Sequence, residues 1–292
     1  MVQQITKTTL SPTKLINRHN NCFFNSCIQC ILSIPSITTY YDSTNFSRNS
    51  NISQSFQKFI KEYKKNEIVD PEMLLKDLRR KMDILDGREQ DTHEFLVLFL
   101  DLLENEVKMK QENIKTEEEI KNSNIILKTF MGLQKTTITC QRCNNASTSV
   151  EQSLGISIGV YKDIQEGINK QQEPEILKEG IFCPKCKENS GKLKNTQFFY
   201  PPEILVVQLL RFNGASTKNN KRININPTIK LANRNYTLIG SVCHEGTLRN
   251  GHYISYGKRD YKWCCYDDSN LKEIENPPLS GSNAYLVFYS RV

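Results

Sequence analysis

Apolar residues in the first half of the chain recur at helical spacing. Phe56, Phe59, Ile60 and Tyr63 fall at i, i+3, i+4 and i+7, which sets four large side chains on one face of a helix. Asp70-Pro71 predicts the next helix start, with Asp70 as N-cap and Pro71 at the first helical position, where a missing N–H breaks no bond. Its expected buried face is Leu74, Leu75, Leu78 and Met82. Beyond Gly87, the spacing of Phe95, Leu98, Phe99 and Leu102 predicts the longest core helix of this half. An earlier apolar run, Cys27 to Ile34, predicts a helix ended near Pro35.

Other stretches lack such a period. Residues 1–12 are polar, end at Pro12, and read as a short flexible or extended lead-in. Residues 36–51, rich in Ser, Thr, Asn and Tyr, read as a loop. Residues 108–124 are almost all charged or amide-bearing and fit either a solvated helix extension or a mobile loop. From Ile125 the pattern changes to β-branched residues and alternation, through Thr136–Cys140, Ile156, Ile158 and Val160, with a short helix possible near Asp163–Lys170. Ile204–Leu210, Tyr236–Ile239, His252–Tyr256 and Ala284–Tyr289 read as strands between Gly, Asn and Pro turns. Helices first and sheet second predict an α+β fold.

A length of 292 residues suits one enzyme-sized unit. The N-terminus lacks the apolar run of a signal peptide, and no stretch approaches the roughly 20 apolar residues of a membrane span. A soluble intracellular protein, cytoplasmic or nuclear, is expected, with no membrane partner. The formal charge of +7 admits weak attraction to nucleic acid. Lys and Arg are interspersed with Asp and Glu, however, and no nucleic-acid-binding motif is present, so no such partner is expected. Ten cysteines without a secretory signal, four of them in two CxxC pairs, predict metal binding and thiol chemistry in a reducing compartment.

Three constellations carry chemistry. Cys22 follows the asparagine-rich turn Asn17–Asn21. Such a turn favours left-handed backbone and an N-cap, which sets Cys22 in the first turn of a helix whose positive end is expected to lower the thiol pKa. Taken alone, this stretch more often describes a buried structural cysteine. Next, His252 lies in a glycine turn feeding a strand, and a hairpin to Trp263–Ser269 would bring it beside Asp267 and Asp268. An imidazole to take a thiol proton and a carboxylate to fix its tautomer are the parts a Cys–His–Asp triad needs. Finally, Cys140, Cys143, Cys183 and Cys186 can supply four thiolates to one tetrahedral structural Zn(II). Their separation predicts an extended ribbon with the metal at its tip.

The segments NRHNNCFFNS, GREQDTHEFL, CQRC with CPKC, ILVVQLLRF, NGHYISY, WCCYDDS and AYLVFY, in that order from about residue 13 to 291, resemble the signature blocks of the ubiquitin-specific proteases, the papain-like cysteine deubiquitinases. The resemblance implies a hand-shaped α+β fold with a helical thumb, zinc-bearing β-ribbon fingers and an antiparallel β palm. It implies one catalytic domain over 13–292, with the thumb at about 13–124, the fingers largely 125–200 and the palm largely 201–292. It assigns Cys22 as nucleophile, His252 as general base, Asp267 as its orienting carboxylate, Asp268 as an assisting acidic position and Asn17 as oxyanion donor. Gln90, Asp91 and Glu94, with Gly251 and Tyr253, would contact the C-terminal tail of ubiquitin, whose arginines suit carboxylates. Asp91 also reads as a helix N-cap, and the two roles are compatible.

The implied activity is hydrolysis of the peptide or isopeptide bond after the terminal glycine of ubiquitin, by a monomer acting on ubiquitin and ubiquitinated proteins. The family usually has Gly and Thr at the positions of His19 and Asn21, and more often Gln at that of Glu89. The alternative is therefore a catalytically impaired ubiquitin-binding pseudoenzyme.

Overall fold

The computed structural model describes residues 10–107, 114–177, 181–213, 217–247, 250–259 and 261–292. Seven helices come first: α1 (Cys22–Ile31), α2 (Pro35–Ser43), α3 (Asn51–Lys65), α4 (Glu72–Arg79), α5 (Thr92–Glu106), α6 (Glu117–Lys121) and α7 (Ile125–Phe130). The apolar stripes read from the sequence close on one another. Phe56, Phe59, Ile60 and Tyr63 of α3 are buried, as are Leu74, Leu75 and Leu78 of α4, Met82 beyond it, and Phe95 and Phe99 of α5. Leu98 and Leu102 pack partly buried on the same core. Phe99 meets Phe56 edge-on at 5.2 Å and stacks on Phe95 at 5.5 Å, in the offset geometries aromatic rings prefer. α1 is buried along its whole length.

Four expectations change. Residues 35–43 form a helix inside the stretch read as a loop. Pro35 opens it and Ile37, Thr38 and Tyr41 turn inward, Tyr41 packing edge-on against Phe56 at 4.9 Å; hydroxyl-rich composition hid this face. α1 and α2 are bent by 92° at the break between them. α4 starts at Glu72, with the Asp70 carboxylate accepting the Glu72 N–H at 3.1 Å. α3 and α5 are both 15 residues long, so neither is the longest. Ile125–Phe130 is helical, because the Asn124 side chain caps it by accepting the Leu127 N–H at 3.0 Å, and the sheet starts only at Gly132.

Residues 1–9 of the expected lead-in and 108–113 of the charged stretch lie outside the described residues. Leu10 is already in the core. In the rest of the charged stretch a capping box between Thr116 and Glu119 starts α6, and Ile114 and Ile120 join Leu127, Met131, Leu133 and Tyr200 in a satellite core.

The second half is sheet. The strand Gly132–Cys140 pairs antiparallel with Ala146–Ser153 on one side and Lys192–Tyr200 on the other, with Glu175–Leu177 at the outer edge, giving the four-stranded ribbon. The main sheet runs, strand by strand, Asn270–Ile274, Lys262–Asp267, Gly251–Arg259, Arg234–Gly246, Ala284–Arg291, Ile204–Leu209 and Gly155–Ile158, with Thr228–Leu231 also paired to Arg234–Gly246. One pairing departs from the antiparallel palm that was expected: Gly155–Ile158 lies parallel to Ile204–Leu209. Parallel neighbours need a long crossover, and the chain between them holds α8 (Ile164–Gln171), capped by Asp163, together with two ribbon strands and the small hairpin of Phe182–Cys183 with Glu188–Asn189.

Alternation along the sheet separates two cores. Val206, Val242, Leu286 and Phe288 face the helices, whereas Val207, Leu209, Val287 and Tyr289 face Ile164 and Ile168 of α8. Helices and sheet thus share one core, and α1 packs directly on the strand Gly251–Arg259.

Candidate active site

The turn before α1 is fixed by its own asparagines. Asn20 takes the left-handed conformation (φ 47°), which Asn tolerates, and Asn17 Oδ1 accepts the Asn21 N–H at 2.9 Å. Asn21 occupies the N-cap position but makes no side-chain cap bond. The turn is tied outward by Arg18 to Asp70 at 2.7 Å and by Asn20 Nδ2 to the Gly87 carbonyl at 3.1 Å. His19 is exposed. Cys22 is the first residue of α1 and is buried.

Burial reverses the expected electrostatics at the sulfur. The Cys22 thiol is pushed above its ordinary pKa, first by desolvation and further by the Asp268 and Glu89 carboxylates, while the Tyr253 and Phe23 backbone N–H groups oppose the rise. One helix terminus offers a few tenths to about 2 kcal/mol, whereas burial can move a pKa by several units. The free thiol is therefore protonated at neutral pH and needs a base.

The hairpin formed by Gly251–Arg259 and Lys262–Asp267 carries an imidazole next to a carboxylate. His252 Nε2 lies 2.7 Å from Asp267 Oδ1, and each side chain is 43% exposed. Asp268 follows in the left-handed region (φ 51°), which turns its carboxylate back toward α1. There Oδ2 accepts Asn17 Nδ2–H at 2.8 Å and Oδ1 accepts Asn25 Nδ2–H at 2.7 Å. Tyr253, the residue after His252, presents its backbone N–H to the Cys22 sulfur. Cys22, Asn17, His252, Asp267 and Asp268 are thus brought to one place from segments far apart in sequence.

The residues expected to hold a substrate tail stand nearby with different jobs. Asp91 caps α5, its Oδ1 accepting the His93 N–H at 2.6 Å and the Glu94 N–H at 3.1 Å. Its Oδ2 accepts the Tyr285 hydroxyl at 2.5 Å. Gln90 Nε2 donates to Asp86 at 2.9 Å, and Glu94 is exposed. Tyr253 is buried, with its ring 4.6 Å from His244 and 6.3 Å from Tyr285. Gly251 is a close-approach glycine, since a Cβ there would stand 2.0 Å from His244 Nε2.

Four residues not singled out in the sequence join this site, Asn25, Gln208, His244 and Tyr285, together with Glu89, which the sequence marked only as a departure from the family. Ser157 donates to Gln208 at 2.8 Å, and Gln208 donates to Tyr285 at 3.1 Å. The chain Ser157–Gln208–Tyr285–Asp91 therefore braces the sheet against the start of α5. The signal for Gln208 was present, as a lone amide inside the apolar run Ile204–Leu209. A groove of about 180 Å³ opens beside this brace, between His93, Leu96 and Val97 of α5 and the segment Ser153–Ser157.

At the far end of the ribbon, Cys140, Cys143, Cys183 and Cys186 have their sulfurs all within 4.8 Å of one another. Cys140–Cys186 is 3.9 Å and Cys143–Cys183 is 3.6 Å. Tetrahedral coordination at a Zn–S distance of 2.3 Å sets sulfurs about 3.8 Å apart. The four thiolates fit a structural zinc.

Residues 13–289 match the family model described as ubiquitin carboxyl-terminal hydrolase. The chain is 27% identical, over 98% of its own length, to ubiquitin carboxyl-terminal hydrolase 16 of Arabidopsis thaliana, and 27% identical, over 94%, to ubiquitin carboxyl-terminal hydrolase 36 of Drosophila virilis. It spans only 31% and 25% of those two relatives. Among solved structures, it is similar to a chain of the SAGA DUB module Ubp8/Sgf11/Sus1/Sgf73 bound to monoubiquitin, with a TM-score of 0.83 and 23% identity over 99% of this chain and 72% of that one. A yeast SAGA DUBm structure gives the same TM-score at 25% identity, over 98% of this chain and 70% of that one.

Proposed function

Because the chain belongs to the ubiquitin carboxyl-terminal hydrolase family, we propose that it is a thiol-dependent deubiquitinase that cleaves after the C-terminal glycine of ubiquitin. The observation that carries this reading is the His252–Asp267 pair, 2.7 Å apart, on a strand whose next amide faces the sulfur of Cys22. Asp267 occupies Nε2, so the other ring nitrogen is the free base. It takes the Cys22 proton, and the thiolate attacks the glycine carbonyl.

The oxyanion is stabilised by the Asn17 amide, which Asp268 and the Asn21 N–H hold from two sides. The imidazolium then protonates the departing amine. Water, deprotonated by His252, hydrolyses the thioester and regenerates the thiol. Asp91, Glu94 and Gln90 line the approach, with Gly251 and Tyr253 on its other wall. The Asp91 carboxylate already caps α5 and accepts from Tyr285, so the solvent-facing Glu94 is the freer carboxylate for a tail arginine.

The four ribbon cysteines hold zinc, which when bound closes the two knuckles of the finger tip. The ribbon cradles the globular part of ubiquitin. Both substrate classes, free ubiquitin adducts and ubiquitinated proteins, follow from the same site. All ten cysteines are free, which supports a cytoplasmic or nuclear location.

The test is cleavage of a ubiquitin C-terminal fluorogenic substrate, with covalent labelling by a ubiquitin probe bearing a C-terminal electrophile. Wild type is expected to cleave and to be labelled at Cys22, and Cys22→Ala to do neither. Full cleavage by Cys22→Ala would overturn the mechanism. Binding of ubiquitin without labelling of wild type would favour the pseudoenzyme.

A further inference from the structure

The Gly251 backbone N–H, at the entry to the strand that carries His252, donates to Glu89 Oε2 at 2.8 Å. The two residues come from different parts of the fold: Glu89 from the loop before α5, and Gly251 from the start of an inner strand of the main sheet. That loop is itself held. Asp86 accepts the Arg88 N–H at 3.0 Å and Gln90 Nε2–H at 2.9 Å, and Asn20 of the turn before Cys22 donates to the Gly87 carbonyl at 3.1 Å. Gly251 has no side chain of its own to anchor it, and the space where one would stand is filled by His244. Its amide is the handle by which the helical half can hold the start of the His252 strand.

Glu89 also bears on Cys22, since its carboxylate is one of two that disfavour the thiolate. The carboxylates that raise Cys22 are Asp268, beyond the strand Lys262–Asp267, and Glu89 from the loop before α5; the Tyr253 amide, on the strand between, acts in the opposite direction. Asp268 is already saturated by Asn17 and Asn25. Glu89 spends one oxygen on Gly251.

We propose that Glu89 is a positioning residue for the reaction: its carboxylate clasps the Gly251 amide and so sets the strand that carries His252 relative to the turn that carries Cys22. The clasp and the charge are separable. A glutamine keeps an oxygen acceptor for Gly251 and removes the charge; an alanine removes both. The inference rests on Cys22 being the nucleophile, and its exchange readout works whether or not ubiquitin is cleaved.

The experiment compares wild type, Glu89→Gln and Glu89→Ala by hydrogen exchange at the Gly251 amide, resolved by peptide mass spectrometry, and by steady-state cleavage of a ubiquitin C-terminal fluorogenic substrate. In Glu89→Ala, Gly251 exchange is expected to rise at least about tenfold, as for an amide losing one charge-assisted bond. In Glu89→Gln, it stays near wild type. In ubiquitin cleavage, Glu89→Ala lowers kcat more than it raises KM, and Glu89→Gln restores most of the loss. Unchanged Gly251 exchange in Glu89→Ala, or no recovery of kcat in Glu89→Gln, overturns the proposal. If Gly251 exchange rises as stated but wild type does not cleave ubiquitin, the deubiquitinase reading fails and the clasp stands.

Discussion

Asp267 Oδ1 stands 2.7 Å from His252 Nε2, across a hairpin in which the two residues are diagonal rather than direct neighbours. The register pairs Ser255 with Tyr266, so one step further Asp267 lies opposite Ile254, and His252 is two residues along on the same face. Diagonal positions of this kind are within reach of long side chains. The register of one hairpin thus determines which imidazole nitrogen is left free, and slipping it by one residue would turn His252 to the other face.

The proposed mechanism therefore predicts that Asp267→Asn lowers kcat by about 100-fold or more. The amide cannot stabilise the imidazolium, and its NH2 end favours the wrong tautomer. Steady-state hydrolysis of a ubiquitin C-terminal fluorogenic substrate, with circular dichroism as the control for folding, checks this. Activity within twofold of wild type would remove Asp267 from the mechanism.

Asp268 has a different job, and a substitution separates the two aspartates. Both of its oxygens accept side-chain amides, from Asn17 and Asn25. In Asp268→Asn an NH2 group must face one of these donors, so one hydrogen bond is lost and Asn17 is released. The loss of a held oxyanion donor is expected to lower kcat by about 10- to 1,000-fold with KM little changed. The left-handed backbone at 268 is tolerated by Asn, so folding is kept. Removing the charge also lowers the Cys22 pKa, so alkylation of Cys22 at pH 7 should speed up while catalysis slows. A parallel fall in both rates would contradict this assignment.

How far the site was legible in the sequence follows from what kind of physics placed each residue. Cys22 at a helix start, His252 on a strand and Asp267 across a turn are consequences of local pattern, and all three were readable. Even the four ribbon cysteines could be grouped from spacing. The sign of the Cys22 pKa shift was not readable, because it depends on how deeply α1 is buried by the main sheet and on carboxylates from two other segments. Glu89 and Gly251 are 162 residues apart in the chain, and no period links them. The helix at 35–43 was missed because Thr38 and Tyr41 share its buried face with a single aliphatic residue, Ile37, among exposed or half-buried Ser and Thr, so no hydropathy period stands out.

His244 makes stability depend on pH. It is 4% exposed, packs at a tilt on Tyr253, has no hydrogen-bond partner for Nδ1 among the described residues, and has its pKa lowered to about 4 by burial and then by Lys218, whose ammonium donates to the His244 carbonyl. The folded protein thus keeps this imidazole neutral, while the unfolded chain protonates it at its ordinary value of about 6.5. The unfolded state binds more protons over that interval. The stabilising contribution of neutral His244 is complete above about pH 6.5 and is lost as pH falls toward 4, by up to about 3 kcal/mol. Urea unfolding at pH 7 and pH 4.5 should show a smaller fall for His244→Phe than for wild type. Equal falls would assign the acid sensitivity to other groups.

The ribbon tip should depend on zinc in a way the rest of the fold does not. Outward from its base the ribbon is largely exposed: Ala146–Ser153 has no fully buried residue, and Ile176 and Phe182 are 55% and 60% exposed. Apolar burial there is too small to offset the entropy of ordering two knuckles. The four thiolates, with sulfurs 3.6 and 3.9 Å apart in pairs, are what can close them around a metal. The hairpin that carries His252 and Asp267, by contrast, packs on α1 in the main core. Removal of zinc by a strong chelator, or Cys143→Ser, is therefore expected to raise KM for ubiquitin substrates by about tenfold or more while kcat falls less than threefold, the pattern of lost uniform binding. The main thermal transition should move by only a few degrees. Metal analysis showing about one zinc per chain before chelation, and the KM shift after it, would support a structural site; a collapse of kcat with KM unchanged would mean that the ribbon acts on the chemistry instead.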